Sequence, residues 1–392
     1  MIKRAGAAAV LLFAGIFRSL CAQTPPPGWK GAIEIREGVR IVKNPAQPLY
    51  GRIALALETD LVIGDDKDER ALFYRKISAA VDRSGNILIW DPDSFRIQKF
   101  DASGRYLQSI GKKGEGPGEF MSPYQLSYQM DEAGRLFVWD NAKIHKFSPE
   151  GKYERSIVSS ASGNRQFAIG SAGSIIRDGW EFDKDRMSET VVLTDGKGKF
   201  AKKIAGFPSQ KFEAFMKDKP RFSVFYPELV LRPWTRDRAL FGYPSEHRIT
   251  GVDGRGETTL IIEKDEAPVK FTSGEKSKLI DEFLAGKADG SRADLERQKL
   301  VPDFWPFFDA FFADDRGRIF VRRMRSNLDP DPGTVFDLFS EEGIFLREIT
   351  VAEADCLVLT NGFLYSRKYN KEKECDQLFR YRIKNWEALG VR

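Results

Sequence analysis

Short apolar runs, each bounded by a polar turn that contains glycine, recur along most of the chain. Val81-Asp82-Arg83-Ser84-Gly85-Asn86-Ile87-Leu88-Ile89-Trp90-Asp91 and Met130-Asp131-Glu132-Ala133-Gly134-Arg135-Leu136-Phe137-Val138-Trp139-Asp140 share one plan. An apolar residue precedes Asp-x-x-Gly, and a polar residue, a short apolar strand and Trp-Asp follow. Ala313-Asp314-Asp315-Arg316-Gly317-Arg318-Ile319-Phe320-Val321 is a third copy that ends in Arg322-Arg323 instead. The plan has a mechanism: Asp hydrogen-bonds backbone just downstream of itself, and Gly accepts positive φ, so one strand turns into the next. The β-branched and aromatic residues that follow suit a half-buried strand. A second turn recurs beyond these strands, with glycines at 104, 151, 198, 256 and 343, hence intervals of 47, 47, 58 and 87 residues. Two alternating hairpin signals per unit of about 40–50 residues predict four-stranded β-propeller blades.

The pattern predicts an all-β, six-bladed β-propeller with blades near 77–111, 124–159, 165–206, 227–263, 307–351 and 354–385. The last blade shows three strands, near Leu357–Thr360, Phe363–Lys368 and Leu378–Ile383. Its fourth is expected from the N-terminal side, either Ile53–Leu57 or Leu61–Ile63, which closes the ring and removes exposed edges. Residues 264–305 break the pattern between blades four and five. There Thr272 and Glu275 have capping-box spacing ahead of a helix to Ala285 with Gly286 as its stop, and Ser291 and Asp294 open a second short helix through Leu300. The expected organisation is a signal peptide over 1–22, an N-terminal extension over 23–52 and the propeller over 53–392.

The start of the chain changes the charge argument. Lys3 and Arg4 precede an apolar run to Phe17, and Ala22 precedes Gln23, as in a secretory signal peptide. The run is too short for a bilayer, which needs about 20 apolar residues. Lipidation at Cys21 is disfavoured because Arg18 and Leu20 occupy places that such a signal fills otherwise. The expected location is periplasmic or secreted, with no transmembrane span. Cleavage removes three of the 62 basic residues (Lys3, Arg4, Arg18) and none of the 57 acidic ones, which leaves a net charge of +2. Both signs are interspersed, so nucleic-acid binding lacks its basic footprint. Cys356 and Cys375 alone survive cleavage. An exported pair permits one disulfide, worth up to ~3 kcal/mol.

The run Ile110-Gly111-Lys112-Lys113-Gly114-Glu115-Gly116-Pro117-Gly118-Glu119-Phe120, followed by Pro123, resembles the inter-blade segment of NHL repeats, and in particular exported bacterial six-bladed propellers of that kind. The resemblance implies a fold, and related propellers include both binding modules and enzymes. The Gly-rich loop itself reads as a blade linker and not as a phosphate cradle, because two Glu residues add negative charge and no helix follows.

Candidate chemistry is sparse. Two histidines, His145 and His247, cannot make a three-His zinc site, and no Gly-x-Ser-x-Gly supports a hydrolase. The mouth of the axial channel is the better place. Gln125, Arg165, Glu228, Asp309 and Asp355 fall where innermost strands begin. Glu228, Asp309 and Asp355 together would suit Ca²⁺ or Mg²⁺, as in a lactonase or lyase; the plainer expectation is salt-bridged rim residues and no cofactor. Trp90, Trp139 and Arg322 take equivalent positions in three blades, and either form a ligand-binding face or pack between blades. The sequence therefore favours a monomeric platform for a protein, peptide or glycan, with the metal-dependent enzyme as the alternative.

Overall fold

The structure is a computed structural model that describes residues 25–64, 69–122, 126–158, 166–184, 186–212, 226–285, 301–324, 333–353 and 355–390. Six antiparallel sheets stand in a ring, a six-bladed β-propeller. The innermost strands are Ser78–Val81, Ser127–Met130, Phe167–Ile169, Val230–Pro233, Phe308–Ala313 and Cys356–Thr360. The hairpin turns form as their chemistry requires. Asp82 Oδ1 accepts from the amides of Ser84 and Asn86 at 2.9 and 2.8 Å, and Asp131 and Asp314 repeat the arrangement. Gly85, Gly134 and Gly317 carry φ near +80°, +76° and +76°, which a side chain would strain. The corresponding turns of blades three and four are built differently: Ala172 precedes Gly173 with both at positive φ, 55° and 78°, and in blade four Arg236 takes φ of 59° with no glycine in the turn.

Aromatic wedges seal one blade to the next. Phe120, at the end of the glycine-rich linker, is fully buried and meets Trp90 edge-on with ring centres 5.6 Å apart. The same ring lies 6.0 Å from Phe147 of blade two. A Cβ on Gly111 would stand 2.1 Å from Phe120, so the linker glycine there is dictated by close approach. Trp139 repeats the theme against Phe167, at 5.8 Å.

The N-terminal segment runs along the outside of three successive blades. A hairpin, Ala32–Arg36 with Val39–Asn44, adds its second strand in parallel to the outer strand Thr258–Lys264 of blade four. Asn44 then bridges blades: its side chain donates to Gly343 O at 2.8 Å and accepts from the Phe345 amide at 2.7 Å, both in blade five. Arg52–Ala54 pairs in parallel with Phe345–Val351 of blade five. Leu57–Ile63 finally pairs with Cys375–Ile383 and completes blade six. Of the two expected closing segments, Leu61–Ile63 lies in that strand, whereas Ile53 belongs to blade five.

The excursion between blades four and five opens with a helix over Ser273–Ala285. Its capping box is formed: Thr272 N donates to Glu275 Oε2 at 2.7 Å, and Glu275 N donates to Thr272 Oγ1 at 3.2 Å. Leu279 and Ile280 bury against Phe271, Val301 and Trp305, and Phe271 stacks on Trp305 at 3.8 Å. The second helix expected from Ser291 lies outside the described residues.

Phe120→Ala leaves a void that three rings cannot fill together, and is expected to cost about 3–5 kcal/mol in a denaturant melt. A cost within error of zero would show that the linker does not seal the blades.

Candidate functional site

The upper face of the ring is the one at which the innermost strands begin. Their axis-facing edges have no neighbouring strand, so the backbone groups there need other partners. Glutamines supply them. Gln129 of blade two donates to Phe167 O at 2.6 Å. Gln166 donates to Leu229 O at 2.7 Å and accepts from the Leu231 amide at 2.9 Å, which stitches blade three to blade four. Asp140, at the end of the second strand of blade two, and Asp178, within that of blade three, accept from the amides of Ser122 and Gln166 at 3.0 and 2.8 Å and so fix the segments that lead into the inner strands. Within this frame a cavity of about 650 Å³ opens at the upper mouth. Its walls come from blades one to six, with Pro306 and Met324 bringing in the chain that flanks the helical excursion.

Each expected mouth carboxylate is already engaged by a cation. Asp309 receives a two-pronged pair from Arg322, at 2.6 and 2.9 Å. Asp355 is held by both prongs of Arg367, one at 2.9 Å, and Arg367 reaches on to Asp376 at 3.2 Å. Glu228 pairs with Lys211. Burial works against the Arg322 charge, but Asp309 outweighs it and raises the guanidinium above its usual value. The three carboxylates therefore do not form a shared oxygen-ligand set, and the plainer expectation of salt-bridged groups describes Glu228, Asp309 and Asp355. Gln125 and Arg165 lie outside the described residues.

Of the two readings of Trp90 and Trp139, the geometry matches packing: both are buried between blades, at 0% and 1% exposure, and neither presents a ring to a ligand. Arg322, aligned with them in sequence, instead turns to Asp309. The disulfide that the pair would permit is not formed, because Cys356 and Cys375 are not bonded to each other. They sit on strands either side of Phe363–Asn370 and pair across it with Ser366 and Asn370, four residues apart along that strand. Burial pushes the Cys356 thiol up to about 12, which suppresses the thiolate.

One residue missed in the sequence dominates the mouth. Arg232, on the innermost strand of blade four, lines the cavity and uses Nη1 on Gln166 Oε1 (2.5 Å) and Leu231 O (2.8 Å). The available signal was a charged residue ending the apolar run Leu229-Val230-Leu231. Glu189 was missed too. It is buried, accepts from the Leu229 amide at 2.9 Å and from Ser209 Oγ at 3.0 Å, and burial raises its carboxyl above the ordinary value.

The histidines stay away from the mouth. His145 is buried in blade two, with Nδ1 3.0 Å from Ser156 Oγ and its ring 5.8 Å from Phe120. His247 joins Glu266 and Asp337 where blade four meets blade five, and among the described residues these three alone converge as a metal would need. A lysine already occupies the centre: Lys264 Nζ stands 2.9 Å from Glu266 and 2.8 Å from Asp337. Arg323 adds a second cation to Asp337 at 2.6 Å and to Glu348 at 2.8 Å. The cluster reads as an electrostatic lock between blades, with its charges mutually satisfied.

Burial alone would raise the Glu266 carboxyl, but the His247 hydrogen bond and the Lys264 charge prevail and hold it at about 2, below its ordinary 4.5. A depressed carboxyl stabilises the fold above pH 4.5 and loses that contribution as pH falls towards 2. Glu266→Gln should remove this part of the acid sensitivity in melts between those values; an unchanged acid limb would refute the lock. Asp337→Ala, which takes the fully buried carboxylate away from Lys264 and Arg323 and leaves each with one partner, should cost about 3–5 kcal/mol. Because Cys356 and Cys375 are not joined, adding reductant should leave the melting temperature where it was, and a drop would mean that they pair in solution.

Among known proteins, residues 71–212 match the family DUF5128, described as "6-bladed beta-propeller". No curated protein matches the chain. Among solved structures, a protein of Bacteroides fragilis described as exported is similar at 12% identity, covering 88% of this chain and 99% of its own, with a TM-score of 0.49. A DUF4221 family member of Bacteroides vulgatus gives 11%, 84%, 98% and 0.42. A gluconolactonase of Xanthomonas campestris gives 11%, 83%, 98% and 0.39. These likenesses do not bear on what this chain binds; the family match agrees with the six-bladed ring seen here.

Proposed function

We propose that this chain is an exported, NHL-like propeller that works as a binding module and takes its ligand in the upper mouth. One observation carries the reading: a cavity of about 650 Å³, walled by all six blades, in which the acidic groups Glu228 and Asp309 are spent on Lys211 and Arg322 while polar side chains are held in place by inter-blade hydrogen bonds. Concave sites with a few fixed polar groups among apolar walls are where propellers and other folds hold ligands. A metal-dependent lactonase or lyase would need carboxylates free to ligate, and Glu228, Asp309 and Asp355 are not free. Binding of a protein, peptide or glycan asks for none of that chemistry.

Glu228 is 41% exposed at the rim and its pair with Lys211 is of the surface kind, worth about 0–1 kcal/mol. Glu228→Trp should therefore fold normally and place an indole across the mouth. Against arrays of short peptides and of glycan fragments, the wild type is expected to retain ligands that this variant loses at least tenfold. Equal binding by both proteins would move the site away from the mouth.

A further inference from the structure

Among the described residues, the upper mouth contains one cation without an anion. Arg322, Arg323 and Arg367 all make ion pairs with carboxylates, yet Arg232 makes none. Its Nη1 is spent on Gln166 and on a carbonyl, which holds the guanidinium plane in place. Nε and Nη2 have no partner among the described residues and are not sealed from the cavity. Asp178 and Asp309 act on Arg232 only at a distance, whereas burial and then the Arg322 cation lower its guanidinium from the usual value. An arginine placed in a walled cavity beside another cation is costly unless an anion arrives to meet it. The two unused prongs match the planar oxygens of a carboxylate.

The rest of the lining says what the carboxylate is attached to. Pro227, Pro244, Pro306, Met324 and Leu357 offer apolar contacts around Arg232. Among the described residues the aromatic members of the lining are Tyr128, Phe167, Tyr226 and Phe308: the two phenylalanines are buried and the two tyrosines half-buried. An apolar side chain next to an α-carboxylate fits this combination, and capture of a chain terminus is a known mode of peptide recognition. Resting on the binding-module reading above, we propose that the upper mouth captures the C-terminus of a peptide, with Arg232 clamping the terminal carboxylate through Nε and Nη2, Gln166 positioning the guanidinium, and the proline-rich wall receiving the last side chain.

The test uses two pools of randomised tetrapeptides, identical except that one ends in a free carboxylate and the other in an amide. Binding of each pool is measured with the whole mature protein. The free-acid pool is expected to bind at least tenfold more tightly, in line with a charge-assisted pair of hydrogen bonds. Arg232→Gln should erase that preference. Arg232→Lys, which keeps the charge and loses the fork, should retain only part of it, and both variants should melt as single cooperative transitions. If Arg232→Gln does not fold, the Lys variant and the acid-to-amide ratio of the wild type still decide. Equal binding of acid and amide pools that Glu228→Trp abolishes would overturn the terminal clamp and leave the mouth as the site. Binding of oligogalacturonate but of neither peptide pool would overturn the peptide as occupant. A free-acid preference that survives Arg232→Gln would overturn the role of Arg232.

Discussion

Closing the ring is the constraint on which the rest of this structure depends. A propeller blade has two edges, and an open sixth blade would leave both a gap in the ring and a strand template exposed to other chains. Here the problem is met from the N-terminal side. The closing strand Leu57–Ile63 joins Cys375–Ile383, separated from it by over 300 positions in sequence. The same segment has already bound the outer edges of blades four and five. Asn44, bonded to blade five while its strand belongs to blade four, makes those steps interdependent. Because the blades are fixed to one another, six inner strands can hold side chains around one axis with the precision a binding site needs.

The same requirement shapes the electrostatics. Inner-strand edges that face the axis cannot find a partner strand, so Gln129 and Gln166 reach across to the next blade. The carboxylates that line the mouth, Asp309 and Glu228, are matched to Arg322 and Lys211, and Asp355 outside the cavity is matched to Arg367. Between blades four and five, Lys264 and Arg323 do the same for Glu266, Asp337 and Glu348. Against this matching, the missing partner of Arg232 is the exception, and exceptions to local satisfaction are where function is expected.

The blades were legible because their turns are local. Asp82, Asp131 and Asp314 bond amides two and four residues ahead, so the pattern can be read in a short window. The capping box at Thr272 and Glu275 was legible for the same reason. Blades three and four were blurred because Ala172 and Arg236 take conformations that glycine usually marks. The outer strap was not legible beyond its closing strand, since the parallel pairing of Val39–Asn44 and Arg52–Ala54 leaves no local trace. At the mouth, sequence alignment placed Asp309 and Arg322 correctly in their strands but could not tell that they face each other. Register there is shifted by a bulge between Phe308 and Ala310. Alignment likewise grouped Arg322 with two tryptophans whose rings turn between blades.

The reading proposed here has the mouth recognise its ligand through Arg232, held by the fold, and without a bound metal. The most direct measurement is the divalent-metal content of the purified protein, taken together with its melt in the presence and absence of EDTA. The account predicts no stoichiometric ion and an unchanged melt, because Asp309, Asp355 and Glu228 are committed to arginine and lysine. A stoichiometric ion whose removal lowers the melting temperature, and which is lost in Asp309→Ala, would contradict it.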